Sequence, residues 1–416
     1  QGIKNMEEIR QEQKERVILI AVAERQEEAE ESLDELEELA KTAGAETAAR
    51  VIQIRETPHP ATYIGKGKID EVNALLYGTD ATGVICDDEL SPAQIGNLER
   101  MLDTKVMDRT LLILDIFAGR AYTKEGNIQV ELAQLKYRAS KLTGQGTALS
   151  RLGGGIGTRG PGEKKLEMDR RLIRRRISHL KAELRDVIRH REVQRKQRQR
   201  NHVPVICIVG YTNAGKSTLL NYLTNAGVLE ENQLFATLDP TTKSLELGSG
   251  QTVLLTDTVG FIRKLPHHLV DAFRSTLEEA KYSDLIFHVV DASNPQKEKH
   301  MEVVYETLKQ LGAVGSDVIT VFNKMDLVEH DMVLKDPKAQ MTVKISARTG
   351  EGVDELLSEA EELLQRKKLY IEKLYSYSEA GKIQMIRSYG QLVKEEYRED
   401  GIYVEAYIPK EILGSV

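Results

Sequence analysis

Tryptophan is absent from this 416-residue sequence, and aromatic residues make up only 5% of it. Base-stacking platforms for single-stranded nucleic acid are therefore a poor foundation for its function. Only two cysteines occur, Cys86 and Cys207, far apart in the chain. That excludes a disulfide framework and favours a reducing, cytoplasmic compartment. No apolar run approaches the roughly 18 residues that span a bilayer, so no membrane span is expected. The opening QGIKNMEEIRQEQKER has no apolar signal core, which argues against secretion. Cys/His clusters at metal-ligand spacing are missing as well. His59 stands alone between two prolines, and the His267-His268 pair has no third partner.

What is present is charge, unevenly placed. Apolar residues account for 40% of the chain and charged ones for 30%, which suits soluble domains with much exposed helix. The net charge of −7 hides an asymmetry, because residues 151–200 hold 17 Lys/Arg against 6 Asp/Glu, a local +11. The rest then carries −18, so one basic segment sits on an acidic protein. A localised polyanion contact is the physical implication. A solvated coiled-coil face is the bland alternative for such a run.

Organisation follows from periodicity. Short apolar runs at Val17–Ala23, Val51–Ile54, Gly83–Cys86 and Lys105–Met107 alternate with helical stretches at Glu27–Lys41, Lys66–Tyr77, Pro92–Asp103 and Thr110–Ala121. Strand–helix alternation predicts an N-terminal parallel α/β domain over residues 1–120. Residues 121–202 carry two a/d seams. Ile128, Leu132, Leu135, Ala139 and Leu142 form one; Leu166, Ile173, Ile177, Leu180, Leu184 and Val187 form the other. They predict an antiparallel helical hairpin of coiled-coil type. Residues 203–367 return to βα alternation and predict a doubly wound sheet. Residues 368–416, with the turn Glu399-Asp400-Gly401, predict a small α+β domain.

Two glycine loops compete for a phosphate. Gly155-Ile156-Gly157-Thr158-Arg159-Gly160 fits G-x-G-x-x-G literally. A dinucleotide site needs a buried strand before it and a second strand after it. Here polar helix precedes and basic heptad helix follows, so the pattern is set aside. Gly210-Tyr211-Thr212-Asn213-Ala214-Gly215-Lys216-Ser217-Thr218 has the required strand before it and helix after it. It satisfies G-x-x-x-x-G-K-[ST]. Its backbone N–H groups can cradle phosphates, Lys216 can reach the β/γ oxygens, and Ser217 can offer an oxygen to Mg²⁺.

Three further motifs follow in order. Asp257-Thr258-Val259-Gly260 ends a strand; Asp257 can hold Mg²⁺ through water, and the Gly260 N–H can face a γ-phosphate. Asn323-Lys324-Met325-Asp326 ends another, where the Asp326 carboxylate can accept from N1–H and the amine of guanine. Adenine lacks that pair of donors, and an unpaired buried acceptor costs about 1–3 kcal/mol. Ser346-Ala347 would bring backbone N–H groups near the guanine O6. The four together predict a GTP-hydrolysing enzyme with Lys216 and Gly260 in catalytic roles.

The residue after Gly260 is Phe261, which can neither orient nor deprotonate water. No arginine finger is evident, although Arg263 and Arg274 lie nearby. Slow intrinsic turnover that a partner or ion completes is therefore expected. Asn213 is a candidate K⁺ ligand, or merely an asparagine that suits a turn.

This constellation resembles the translation-factor-related GTPases. By that resemblance Phe235-Ala236-Thr237-Leu238-Asp239-Pro240 is switch I, and Thr237 would be its catalytic, Mg²⁺-binding threonine. The order of ATYIGKGKIDEV, RLGGGIGTRGPGEKKLEMDRR, GYTNAGKSTL, FATLD and DTVGFI is similar, over essentially the whole chain, to the HflX family of ribosome-associated GTPases. The resemblance implies a cytoplasmic, monomeric GTPase that binds ribosomal RNA of the large subunit and splits or rescues ribosomes under stress. The hairpin's glycine-rich tip would then approach RNA, with Arg151, Arg159, Arg170, Arg171, Arg174, Arg175 and Arg176 as contacts. A signalling or scaffolding switch, its coiled coil binding proteins, is the alternative. A GTP-driven tRNA-modifying enzyme would need a substrate pocket in the N-terminal domain, and the sequence shows no Cys/His cluster or cofactor signature to support one.

Overall fold

The computed structural model describes residues 15–149, 161–200, 203–224, 234–235, 238, 240–265, 269, 279–313, 315–328 and 332–416. Two compact units emerge: residues 1–185 with 264–272, and residues 186–263 with 273–416.

The first unit begins with a four-stranded parallel sheet. β1 (Arg16–Ala23), β2 (Glu46–Ile54), β3 (Gly83–Cys86) and β4 (Lys105–Asp108) lie in the order β2-β1-β3-β4. The helices α1 (Gln26–Thr42), α2 (Lys66–Thr79), α3 (Pro92–Leu102) and α4 (Arg109–Arg120) connect and follow the strands. β1 reads RVILIAVA because both faces of a central parallel strand are covered. Local chemistry fixes the helix starts. Ser91 and Gln94 form a capping box with Pro92 in the first turn, and the Asp108 carboxylate accepts from Leu111 N–H at 2.9 Å. Arg109 is 2% exposed, and its charge is balanced by Asp87 at 2.8 Å and by Glu35.

The hairpin follows as α5 (Lys124–Leu149) and α6 (Pro161–Arg200). α6 has 40 residues, about 60 Å at 1.5 Å per residue. The pairing is antiparallel. Arg176 clasps Glu131 through two bonds of 2.7 and 2.8 Å, and Arg170 donates to the Leu142 carbonyl at 2.6 Å. Ile128, Leu132 and Leu180 of the two seams are buried, as the heptads predict. The glycine-rich tip, including Arg151 and Arg159, lies outside the described residues.

The second unit holds a six-stranded sheet of β5 (Val205–Gly210), β6 (Thr241–Glu246), β7 (Thr252–Asp257), β8 (Leu285–Asp291), β9 (Asp317–Asn323) and β10 (Met341–Lys344). The order is β10-β9-β8-β5-β7-β6, parallel except for β6. Around it run α7 (Lys216–Thr224), α8 (Lys297–Leu311) and α9 (Val353–Arg366). One sheet face and α9 enclose Ile206, Ile208, Phe287, Val289, Leu356 and Leu363. Each such side chain contributes roughly 1.5–3 kcal/mol by leaving water. The chain ends in β11 (Leu369–Tyr375), α10 (Ala380–Tyr389), β12 (Gln391–Arg398) and β13 (Gly401–Ile408), an antiparallel sheet ordered β11-β13-β12. Ile383 and Ile386 of α10 cover Val404, Ala406 and Ile408 on one of its faces. Among the described residues no helix is long and apolar enough to cross a membrane.

Candidate active site

The four motifs predicted to bind nucleotide converge at the ends of β5, β7 and β9 and at the loop after β10. β5 delivers the loop Gly210–Gly215, and α7 begins at Lys216. Gly215 has φ +95°, and a Cβ there would stand 2.2 Å from Asn323 Nδ2, so no side chain is tolerated. Asn213 has φ +59° and is exposed, a left-handed position that asparagine accepts well.

Lys216 is 6% exposed, and its ammonium donates to the Tyr211 carbonyl at 2.8 Å. Burial pushes its pKa down to about 8; Asp257 opposes that shift, and Lys324 adds to it. Anionic phosphates are the chemistry that would restore its full charge. The Ser217 hydroxyl donates to the Asp257 carboxylate at 2.9 Å. Two hard oxygen donors thus meet beside the phosphate loop. Mg²⁺ uses such a set, taking few protein ligands and the rest from phosphate and water. Among the described residues no group of three or more His, Cys, Asp or Glu could hold a metal without such help. Thr237 lies outside the described residues, as do His267, His268 and Arg274.

The loops that the sequence assigns to the base are fastened by side chains. The Asn323 amide donates to the Ala214 carbonyl at 2.9 Å, and its oxygen accepts from Ala347 N–H at 2.8 Å. One buried side chain therefore ties the phosphate loop to both base loops. Lys324 has φ +64° and reaches Asp291, at the end of β8, at 2.7 Å. The Ser346 hydroxyl donates to Asp326 Oδ1 at 2.8 Å, and Arg348 approaches Oδ2 at 3.7 Å. The Asp326 carboxylate is held in one orientation as a result. The sequence motif placed the Ser346 and Ala347 amides at the guanine O6. Here both amides are engaged within the protein, by the Glu351 carbonyl at 3.0 Å and by Asn323. Asp291 and the Ser346 hydroxyl escaped the sequence reading. Only the position of Asp291 at a parallel strand's C-terminal end signalled it.

Behind the phosphate loop sits His288 of β8, fully buried, with neither ring nitrogen hydrogen-bonded among the described residues. Its ring meets Tyr305 edge-on at 5.0 Å. Burial pushes its pKa from 6.5 to about 4, with Asp336 opposing and Lys216 and Lys338 assisting. The unfolded chain takes up this proton near pH 6.5 and the folded chain only near 4. Stability should therefore fall as pH drops through that window, by at most roughly 3 kcal/mol. His288→Leu should flatten the acid side of a melting-temperature profile between pH 7 and 4.5. An unchanged slope would place the acid sensitivity elsewhere.

The arginines assigned to RNA divide into two sets. Arg171, Arg174, Arg175 and Arg176 are exposed on α6, but Arg176 is paired across the hairpin with Glu131, and the half-buried Arg170 is bonded to the Leu142 carbonyl.

Comparison with known proteins agrees with this geometry. Residues 30–118 match the family described as GTP-binding GTPase N-terminal, residues 120–198 the GTP-binding GTPase middle region, and residues 205–324 the 50S ribosome-binding GTPases. The GTPase HflX of Lacrimispora saccharolytica is 65% identical over 403 residues, covering 97% of this chain and 95% of that protein. That of Caldanaerobacter subterraneus subsp. tengcongensis is 49% identical, covering 98% and 94%. That of Escherichia coli is 44% identical, covering 78% and 77%. With a glycine-rich loop between strand and helix, three family matches in order along the chain and identity of this extent, the chain belongs to the HflX family of GTPases.

Proposed function

We propose that this GTPase works in the cytoplasm as a monomer, binds the large ribosomal subunit and couples GTP binding and hydrolysis to the splitting or rescue of ribosomes under stress. The observation that carries the proposal is the match of residues 205–324 to 50S ribosome-binding GTPases, in a chain whose residues 151–200 carry a net +11 and include the 40-residue helix α6.

In this reading the N–H groups from Gly210 to Thr218 and the Lys216 ammonium hold the phosphates. Asp326, oriented by Ser346, accepts from the guanine edge, while Asn323, Lys324 and Ala347 keep its loop in place. Ser217, Asp257 and Thr237 are the residues that would hold Mg²⁺. An ion held there would supply positive charge to offset that of the phosphates. Gly260 offers its N–H to the γ-phosphate. Phe261 is 1% exposed and packs inward, so the chain itself provides no side chain there to orient water. Turnover then waits on the ribosome, or on K⁺ beside Asn213. Equal rates in Na⁺ and K⁺ would leave Asn213 a loop residue only.

On the hairpin, Arg171, Arg174 and Arg175 present their charge outward to RNA phosphates. Cosedimentation with large subunits should be stronger with a non-hydrolysable GTP analogue than with GDP, and should weaken steeply with salt. Binding that ignores the nucleotide would overturn the coupling. The alternative, a scaffolding switch, predicts binding to proteins rather than to ribosomal subunits.

A further inference from the structure

The hairpin carries a groove that its heptad packing does not explain. A space of about 500 Å³ opens between α5 and α6, lined by Tyr137, Arg138 and Leu142 on one side and by Asp169, Leu172 and Ile173 on the other. Ligand pockets span roughly 300–1,000 Å³. The α5 side is fixed. Tyr137 is 6% exposed, and the Lys141 ammonium lies 4.6 Å from its ring centroid while donating to the Leu90 carbonyl. On α6, Leu172 stands beside the seam of Leu166, Ile173 and Ile177 rather than in it, and it is 56% exposed. Met168, one turn earlier on the same face, is 62% exposed. Hairpin pairing accounts for neither. Arg138 and Asp169 are exposed and line the same space. Neither side chain makes a hydrogen bond or ion pair among the described residues.

An apolar wall, an unpaired guanidinium and an unpaired carboxylate select a ligand with flat apolar faces, an anionic end and a donor edge. An unpaired nucleotide of RNA has that form. Its base can lie against Leu142 and Leu172, and its phosphate can take two bonds from Arg138. Its Watson–Crick edge can donate to Asp169, since every base carries an N–H there. The surrounding charge favours the same occupant. Arg171 and Arg175 are exposed within one helical turn of Leu172, in a segment of net +11. An acidic peptide would set its carboxylates against Asp169.

We infer that the groove between α5 and α6 holds one unpaired nucleotide of RNA, so that the hairpin grips a splayed base as well as phosphates. The inference rests on the hairpin facing ribosomal RNA, as in the function proposed above.

Replacing Leu172 by the photo-crosslinker p-benzoylphenylalanine tests it, in complexes of the full chain with isolated large ribosomal subunits. The crosslink should survive protease and be lost to ribonuclease, and primer extension should stop at one nucleotide. The same replacement at Lys181, exposed about two and a half turns farther along α6, should not give that stop. Leu172→Ser and Asp169→Ala should each weaken subunit binding roughly three- to tenfold with the salt slope unchanged, because neither removes a phosphate contact. A bystander carboxylate beside RNA would do the opposite, since its loss should tighten binding. Neither side chain is buried, so the melting temperature should hold in both variants. A crosslink to protein, no crosslink from position 172, tighter binding by Asp169→Ala, or undiminished binding by Leu172→Ser would overturn the inference. A wild-type chain that does not bind large subunits would instead remove the reading on which it rests.

Discussion

Asp326→Asn should lower GTP affinity about 100-fold and raise affinity for xanthosine triphosphate. The carboxylate can accept two bonds from guanine, from N1–H and the 2-amino group, each charge-assisted and worth about 1.5–3 kcal/mol. Asparagine turns an NH₂ toward the guanine amine, donor against donor, and a net loss of roughly 3 kcal/mol corresponds to about 100-fold. Xanthine has a carbonyl where guanine has the amine, so the same NH₂ becomes a partner. Ser346, which donates to Asp326 Oδ1 at 2.8 Å, can equally donate to the asparagine oxygen, so the orientation persists. Competition binding with the two triphosphates measures the inversion. A variant that still prefers GTP would mean that another group reads the base.

The second large effect belongs to the hairpin. Arg171, Arg174 and Arg175 replaced together by Glu should weaken association with large subunits at least about 100-fold near 0.1 M salt. The salt slope of log K should fall by about two to three, since each lost phosphate contact removes nearly one unit. Arg176→Glu makes an informative contrast. It breaks the Glu131 clasp and places like charges across the hairpin, so it should lower the melting temperature and leave the salt slope nearly intact. Undiminished subunit binding by the triple variant would favour the scaffolding reading of the coiled coil.

The sequence disclosed regular elements well because their periodicities are enforced by burial. β1, β3 and β5 are near-continuous apolar runs, as β8 is apart from His288 and Asp291, and such runs persist only where both faces are covered. The heptads of α5 and α6 survive the Arg170 interruption because its guanidinium folds back onto the Leu142 carbonyl. β6 escaped notice. TTKSLE is polar and lies at the sheet edge, where only one neighbour constrains it. The phosphate and base motifs were legible because backbone geometry demands particular residues, as Gly215 illustrates. The Ser346 hydroxyl and Asp291 were not. Each acts through a partner distant in sequence, and a single chain gives no sign of which side chain meets which. The division of labour among the arginines was hidden for the same reason, because Glu131 lies 45 positions from Arg176.

The scarcity of cysteine leaves the molecule with one thiol in each parallel sheet. Cys86 lies in β3 and Cys207 in β5; both are fully buried, and burial raises both well above the ordinary thiol pKa. Burial disfavours the reactive thiolate at both and keeps oxidants and alkylating agents away while each sheet is closed. Both thiols are therefore shielded from oxidants as long as the chain stays folded. Each sulfur also acts as a clock for its own sheet, because modification at Cys86 or Cys207 requires that strand to open. Nucleotide should slow the clock at Cys207, which pairs directly with β7 and β8 beneath the phosphate loop. The clock at Cys86 measures the first sheet on its own terms.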